Sequence, residues 1–89
     1  METQTELDGN SINEYASIIR ENIKNIRLFY GWTQMQLADE AGLNDGFLGF
    51  VEQGRTRPTL TTLVKVSRAL DVTPALLLTP QGYKKITRD

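Results

Sequence analysis

The sequence predicts an all-α fold, and three observations point there. Apolar residues recur at steps of three and four, cap and stop residues bracket each periodic segment, and no run alternates in the manner of a strand. Eighty-nine residues with no internal repeat allow one domain with a single core.

The first ten residues are polar and acidic, hold a lone leucine and close on Gly9-Asn10, so a mobile arm is expected over 1–10. Ser11 or Asn13 is placed to cap a long first helix. Ile12, Tyr15, Ile19, Ile23, Ile26 and Tyr30 form its apolar stripe, and Gly31 ends it. Thr33 is a good N-cap for a second helix, with Gln36 three residues on completing a capping box. Leu37, Ala38 and Ala41 give that helix its inward face, and Gly42 supplies the left-handed residue that stops it.

Asn44 is read as the cap of a third helix running to Gln53. Phe47, Leu48 and Val51 face inward on it, which leaves Asp45, Gly46, Gly49, Phe50 and Gln53 outward. Thr33 to Glu52 is therefore two short helices with a glycine elbow, a helix-turn-helix. Such a pair can project its second helix into the DNA major groove.

Gln53 to Pro58 is a loop, and Pro58 biases Arg57 to extended geometry. A fourth helix starts near Thr59 with Leu60, Leu63, Val66 and Leu70 as its core face. Thr73-Pro74 opens a short fifth helix through Leu78, and Thr79-Pro80-Gln81-Gly82 breaks it. The expected organisation is an arm over 1–10, a domain over 11–79 and a tail over 80–89.

The chain contains no cysteine and no histidine, so thiolate metal sites, disulfides and the commonest general base are missing. No glycine-rich phosphate loop is present, and no catalytic site, metal or cofactor is expected. The longest apolar run, near Ala75 to Leu78, is far below the roughly 20 residues that span a bilayer, and no export signal is visible. A cytoplasmic protein without membrane contact is expected, with no small-molecule effector evident.

The formal charge is −1. Four acids and no base lie in the first fourteen residues, so the remainder carries ten bases against seven acids, a net of +3. The folded part is mildly basic.

The flanks of the elbow resemble a known family. The matching pieces are Asn22-Ile23-Lys24-Asn25-Ile26-Arg27, Gly31-Trp32-Thr33-Gln34, Leu37-Ala38, Val51-Glu52-Gln53-Gly54-Arg55, Pro58-Thr59-Leu60, and Leu63 to Val72. In this order they are similar to the phage-repressor (Cro/C1, xenobiotic-response-element) class of helix-turn-helix regulators, over roughly Ile19 to Leu78. The resemblance implies a five-helix lambda-repressor-like DNA-binding domain, here with an extended first helix.

It also implies roles. Arg27 and Glu52 match a partly buried ion pair, the competing reading being two surface charges. Gln34 matches a position that contacts phosphate and braces the third helix, and Thr33 adds a hydroxyl at the same helix N-terminus, which favours anions; plain capping by both is the alternative. Gln53, Arg55, Thr56 and Arg57 fall where the family places backbone contacts, which position a protein without reading sequence. Lys24, Lys84, Lys85 and Arg88 are weaker candidates.

The base-facing set would be Asn44, Asp45, Gly46, Gly49 and Phe50, a departure from the Arg, Gln, Ser or Lys common in relatives. A carboxylate accepts from cytosine N4 and a phenyl packs on a thymine methyl, so direct readout stays open. Met35 and Leu76 are apolar where the family usually has polar residues. Leu76 and Leu78 are dimer candidates, or they close the monomer core. Trp32 and Phe47 fit inward positions.

The expected function is sequence-specific binding of double-stranded DNA as a homodimer at a palindromic operator, acting as a repressor. The alternative is a protein-interaction module of the same fold, an antitoxin or regulator partner, with weak or lost DNA binding.

Overall fold

A computed structural model describes residues 9–44 and 46–86, with side chains from residue 11. The elements are α1 (Gly9–Phe29), α2 (Gln34–Ala41), α3 (Phe47–Glu52), α4 (Leu60–Ala69), α5 (Pro74–Leu77) and a final 3₁₀ turn (Gly82–Lys85). Among the described residues there is no strand.

Local chemistry sets most of the boundaries. Thr33, Thr59 and Thr73 sit in extended geometry and accept from the backbone N–H three residues on, at Gln36, Thr62 and Leu76. Pro74 then opens α5 where its missing N–H costs nothing. Gly31 (φ +76°) and Gly42 (φ +70°) take the left-handed conformation after α1 and α2.

The core lies where α1, α2, α4 and α5 meet. Ile23, Ile26, Leu37, Leu48, Val51, Val66, Leu70 and Leu77 are sealed from solvent, and each large side chain so buried contributes about 1.5–3 kcal/mol. Trp32 and Phe47 pack against this cluster. α2 packs on α4 and α3, while α1 lies along α3, α5 and the 3₁₀ turn.

Two stripes read from periodicity differ in the structure. Ile19, Ile23 and Ile26 of α1 are buried, but Ile12 and Tyr15 are exposed because the first turns of α1 run beyond the core. With Ala16, Ile19, Arg57 and Pro58 they line an open cavity of about 240 Å³. Leu60 is 75% exposed rather than part of the core face. It occupies the first position of α4, ahead of the turn that meets α2, and Thr62 is buried in its stead.

The segment after Leu78, expected to be a tail from residue 80, carries the 3₁₀ turn over Gly82–Lys85. Tyr83 and Ile86 pack against the core, and the buried Asn22 of α1 holds this segment in place. Asn22 Nδ2 donates to the carbonyls of Leu77 (2.9 Å), Thr79 (2.8 Å) and Leu76 (3.3 Å), and its Oδ1 accepts from Tyr83 N–H at 2.9 Å. One side chain thus satisfies the end of α5 and the start of the turn. Gly82 permits the approach, since a Cβ there would stand 2.2 Å from the Leu76 carbonyl oxygen.

Candidate nucleic-acid interface

The elbow is built from its caps. Thr33 Oγ1 accepts from Gln36 N–H at 3.0 Å and Gln36 Oε1 accepts from Thr33 N–H at 2.8 Å, a reciprocal capping box. Leu43 N–H returns to the Ala38 carbonyl at 2.9 Å, closing α2 over Gly42.

α3 starts differently from the sequence expectation. Its N-cap is Gly46 at φ +85°, with no side-chain cap, and Asn44 contributes its carbonyl, accepting from Phe47 N–H at 3.3 Å. Asn44 is exposed, and Asp45 lies outside the described residues.

Gly46, Phe50 and Gln53, at i, i+4 and i+7, form the outward stripe of α3. Phe50 is 48% exposed. Gly49 departs from the expected outward set. It is buried against α2, where an added Cβ would meet Gln34 Oε1 at 3.1 Å, so its lack of a side chain serves helix packing.

Behind the stripe, three helices converge on one carboxylate. Arg27 of α1 donates from Nε to Glu52 Oε2 at 2.8 Å and from Nη2 to Oε1 at 2.9 Å, while Gln34 Nε2 of α2 donates to the same Oε1 at 3.0 Å. Arg27 Nη1 also donates to the Trp32 carbonyl at 2.7 Å. The Arg27 and Glu52 side chains are 9% and 3% exposed, so the pair is buried and its geometry is fork to fork.

Around the rim, the Arg55 guanidinium stands 5.2 Å from the centre of the Phe50 ring, and the Arg55 backbone N–H donates to the Phe50 carbonyl at 2.8 Å. Arg55 Nη1 also reaches Gln53 Oε1 at 3.5 Å, a long contact. Thr56 is half-buried. Arg57 Nη2 donates to Asn13 Oδ1, which ties the loop to the projecting turns of α1. Lys24, Lys84 and Lys85 are exposed, and Arg88 lies outside the described residues.

Of the apolar candidates, Leu76 is half-buried against the core, Leu78 is 36% exposed and Met35 is 61% exposed. Sequence reasoning missed Asn22 as the clasp of the C-terminal segment. The signal was available, since an amide set among Ile19, Ile23 and Ile26 on the buried face of α1 needs partners.

A short helix carried outward on a capped glycine elbow and braced from behind defines a helix-turn-helix regulator. The chain belongs to the Cro/C1-type helix-turn-helix family, whose helix-turn-helix model matches residues 23–77. It is 37% identical over 71 residues to control protein C.SmaI of Serratia marcescens, covering 80% of this chain and 84% of that protein. Its fold matches the crystal structure of the hypothetical transcription factor NHTF from Neisseria at a TM-score of 0.74, with 26% identity over 94% of each chain. It also matches the restriction-modification controller protein C.AhdI of Aeromonas hydrophila at a TM-score of 0.65, with 28% identity over 72% of this chain and 96% of that one. These relatives are regulators and controllers rather than enzymes. No helix among the described residues is long and apolar enough to cross a membrane.

Proposed function

We propose that the chain is a cytoplasmic, sequence-specific DNA-binding repressor that acts as a homodimer on a palindromic operator, placing α3 in the major groove. The observation that carries this reading is the outward stripe of Gly46, Phe50 and Gln53, held rigid from behind by the Arg27–Glu52–Gln34 knot. Phe50 would pack on a thymine methyl, and Gly46 would let the backbone come close to the base edges. Asp45 and Asn44 would complete the base-facing set. Thr33, Gln34, Gln53, Arg55, Thr56 and Arg57 would contact phosphates on either side, with Arg55 and Phe50 acting as one stacked unit.

Exposed Leu78, next to half-buried Leu76, supports pairing through the α5 end. Two copies would read half-sites about 34 Å apart, one turn of duplex. The names of the relatives, control protein C.SmaI and the immunity repressor protein of Bacillus phage phi105, support a role in transcriptional control.

The test is selection of bound duplexes from a random library with the full chain, followed by footprinting. A two-fold symmetric site and affinity that falls steeply with salt are expected. No binding at about 50 mM salt, the permissive condition, would overturn the reading in favour of a protein-interaction module.

A further inference from the structure

Arg20 stands seven residues before Arg27 on α1, about 20° from it around the helix, so the two project from nearly the same face. Arg27 enters the knot behind α3. Arg20, two turns nearer the N-terminus, reaches Gly54, the residue after the Gln53 cap of α3. A Cβ at Gly54 would lie 3.3 Å from Arg20 Nη1, 3.4 Å from Cζ and 3.7 Å from Nε, three similar distances that describe a guanidinium lying flat on the glycine. Gly54 is left-handed (φ +78°), and its N–H closes the end of α3 on Val51.

We propose that Arg20 is a phosphate-binding residue, which with Arg55 clasps one DNA backbone phosphate beside Gly54. The proposal rests on the DNA-binding reading above. Its first support is that Arg20 is half-buried yet makes no hydrogen bond or ion pair among the described residues. A guanidinium carries five N–H groups in a fixed fork that suits a phosphate, and packing one face on Gly54 pre-orients it.

The second support is electrostatic. The end of α3 offers a phosphate little uncompensated negative charge, since the carbonyls of Gly49, Phe50 and Val51 accept from the N–H groups of Gln53, Arg55 and Gly54. The carboxylate there, Glu52, is fully engaged by Arg27 and Gln34, while the Arg20 guanidinium lies on Gly54 and Arg55 follows Gly54 in the chain. Lys24, exposed one turn after Arg20, extends the same cationic row.

The experiment is fluorescence anisotropy of the full chain, Arg20→Gln and Arg20→Lys on a labelled random-sequence duplex of about 25 base pairs, at salt from about 50 to about 200 mM. A phosphate contact contributes about 0.9 to the slope of log affinity against log salt. Arg20→Gln is expected to lower that slope by about 0.9, so its loss of affinity across the range is about 3.5-fold smaller than the parent's. Arg20→Lys keeps the parent slope, and both variants keep the parent unfolding midpoint. A parent that binds with salt dependence alongside an Arg20→Gln of unchanged slope overturns the proposal alone. So does an Arg20→Lys that loses as much slope as Arg20→Gln. A parent that does not bind overturns the DNA-binding reading, and this proposal with it.

Discussion

Gln34 and Glu52 join the first residue of α2 to the last residue of α3 through a 3.0 Å hydrogen bond, on the same carboxylate oxygen that Arg27 Nη2 reaches from α1. That oxygen is the point where the angle between the two helices of the elbow is fixed. Truncating Glu52 leaves the Arg27 guanidinium buried and uncompensated, with Gln34 also unpaired. Glu52→Ala is expected to cost about 3–5 kcal/mol and to lower Tm by more than about 12 °C, read by circular dichroism. Replacing Arg27 and Glu52 together by Met and Leu is expected to cost far less than the two single changes combined, because no buried charge is stranded. An exposed pair, worth about 0–1 kcal/mol, would show neither effect.

Asn22 is expected to behave as a second keystone. Asn22→Leu removes the partner of Tyr83 N–H and of the Leu77 and Thr79 carbonyls, costing about 2–3 kcal/mol in urea denaturation. Asn22→Asp is expected to be worse at neutral pH, since a carboxylate would face those same carbonyl oxygens. Amide exchange should show the Tyr83 N–H losing protection first. Equal stability of parent and Asn22→Leu would remove the clasp from the account.

Gly49 offers two opposed terms of similar size. Alanine gains about 0.8–1 kcal/mol of helix propensity, but its Cβ meets Gln34 Oε1 at 3.1 Å and displaces the side chain that bonds Glu52, a bond worth about 1.5–3 kcal/mol to a charged acceptor if fully lost. The contacting atom is the end of a flexible side chain, so only part of that bond is forfeited. Gly49→Ala is expected to change stability by less than about 1 kcal/mol. A loss above about 2 kcal/mol would mean that Gln34 cannot yield.

Phe50→Ala separates folding from function. The ring is 48% exposed and outside the core, so unfolding should shift by less than about 0.5 kcal/mol. Affinity for a selected duplex is expected to fall about tenfold or more, as does discrimination at the base pair it covers, through the ring itself and through release of Arg55. Unchanged affinity with Phe50→Ala would place the reading surface elsewhere.

The parts legible from sequence are those whose chemistry is local. Thr33 with Gln36, Gly42, Thr59 and Thr73-Pro74 act within one turn of where they stand, and each marks a helix boundary in the structure. What periodicity could not supply is the partner. Leu60 satisfies a helical stripe but precedes the first turn that finds another helix, so it stays in water. Gly49 counts as outward until Gln34 is placed opposite it. The segment around Tyr83 shows no helical period because two separate apolar contacts, Tyr83 and Ile86, and one amide sixty-one residues away hold it. The Asn44 cap failed for a related reason, as the chain enters α3 through a left-handed Gly46.

The convergence of three helices on Glu52 bears on how shape is matched. With α1, α2 and α3 locked together at that carboxylate, the protruding edge has no hinge of its own to adjust with. In the proposed complex the compliance must therefore reside in the double helix. Sequences that widen or curve cheaply would be favoured even at base pairs no side chain reaches, so stiffness of the target becomes part of what is discriminated.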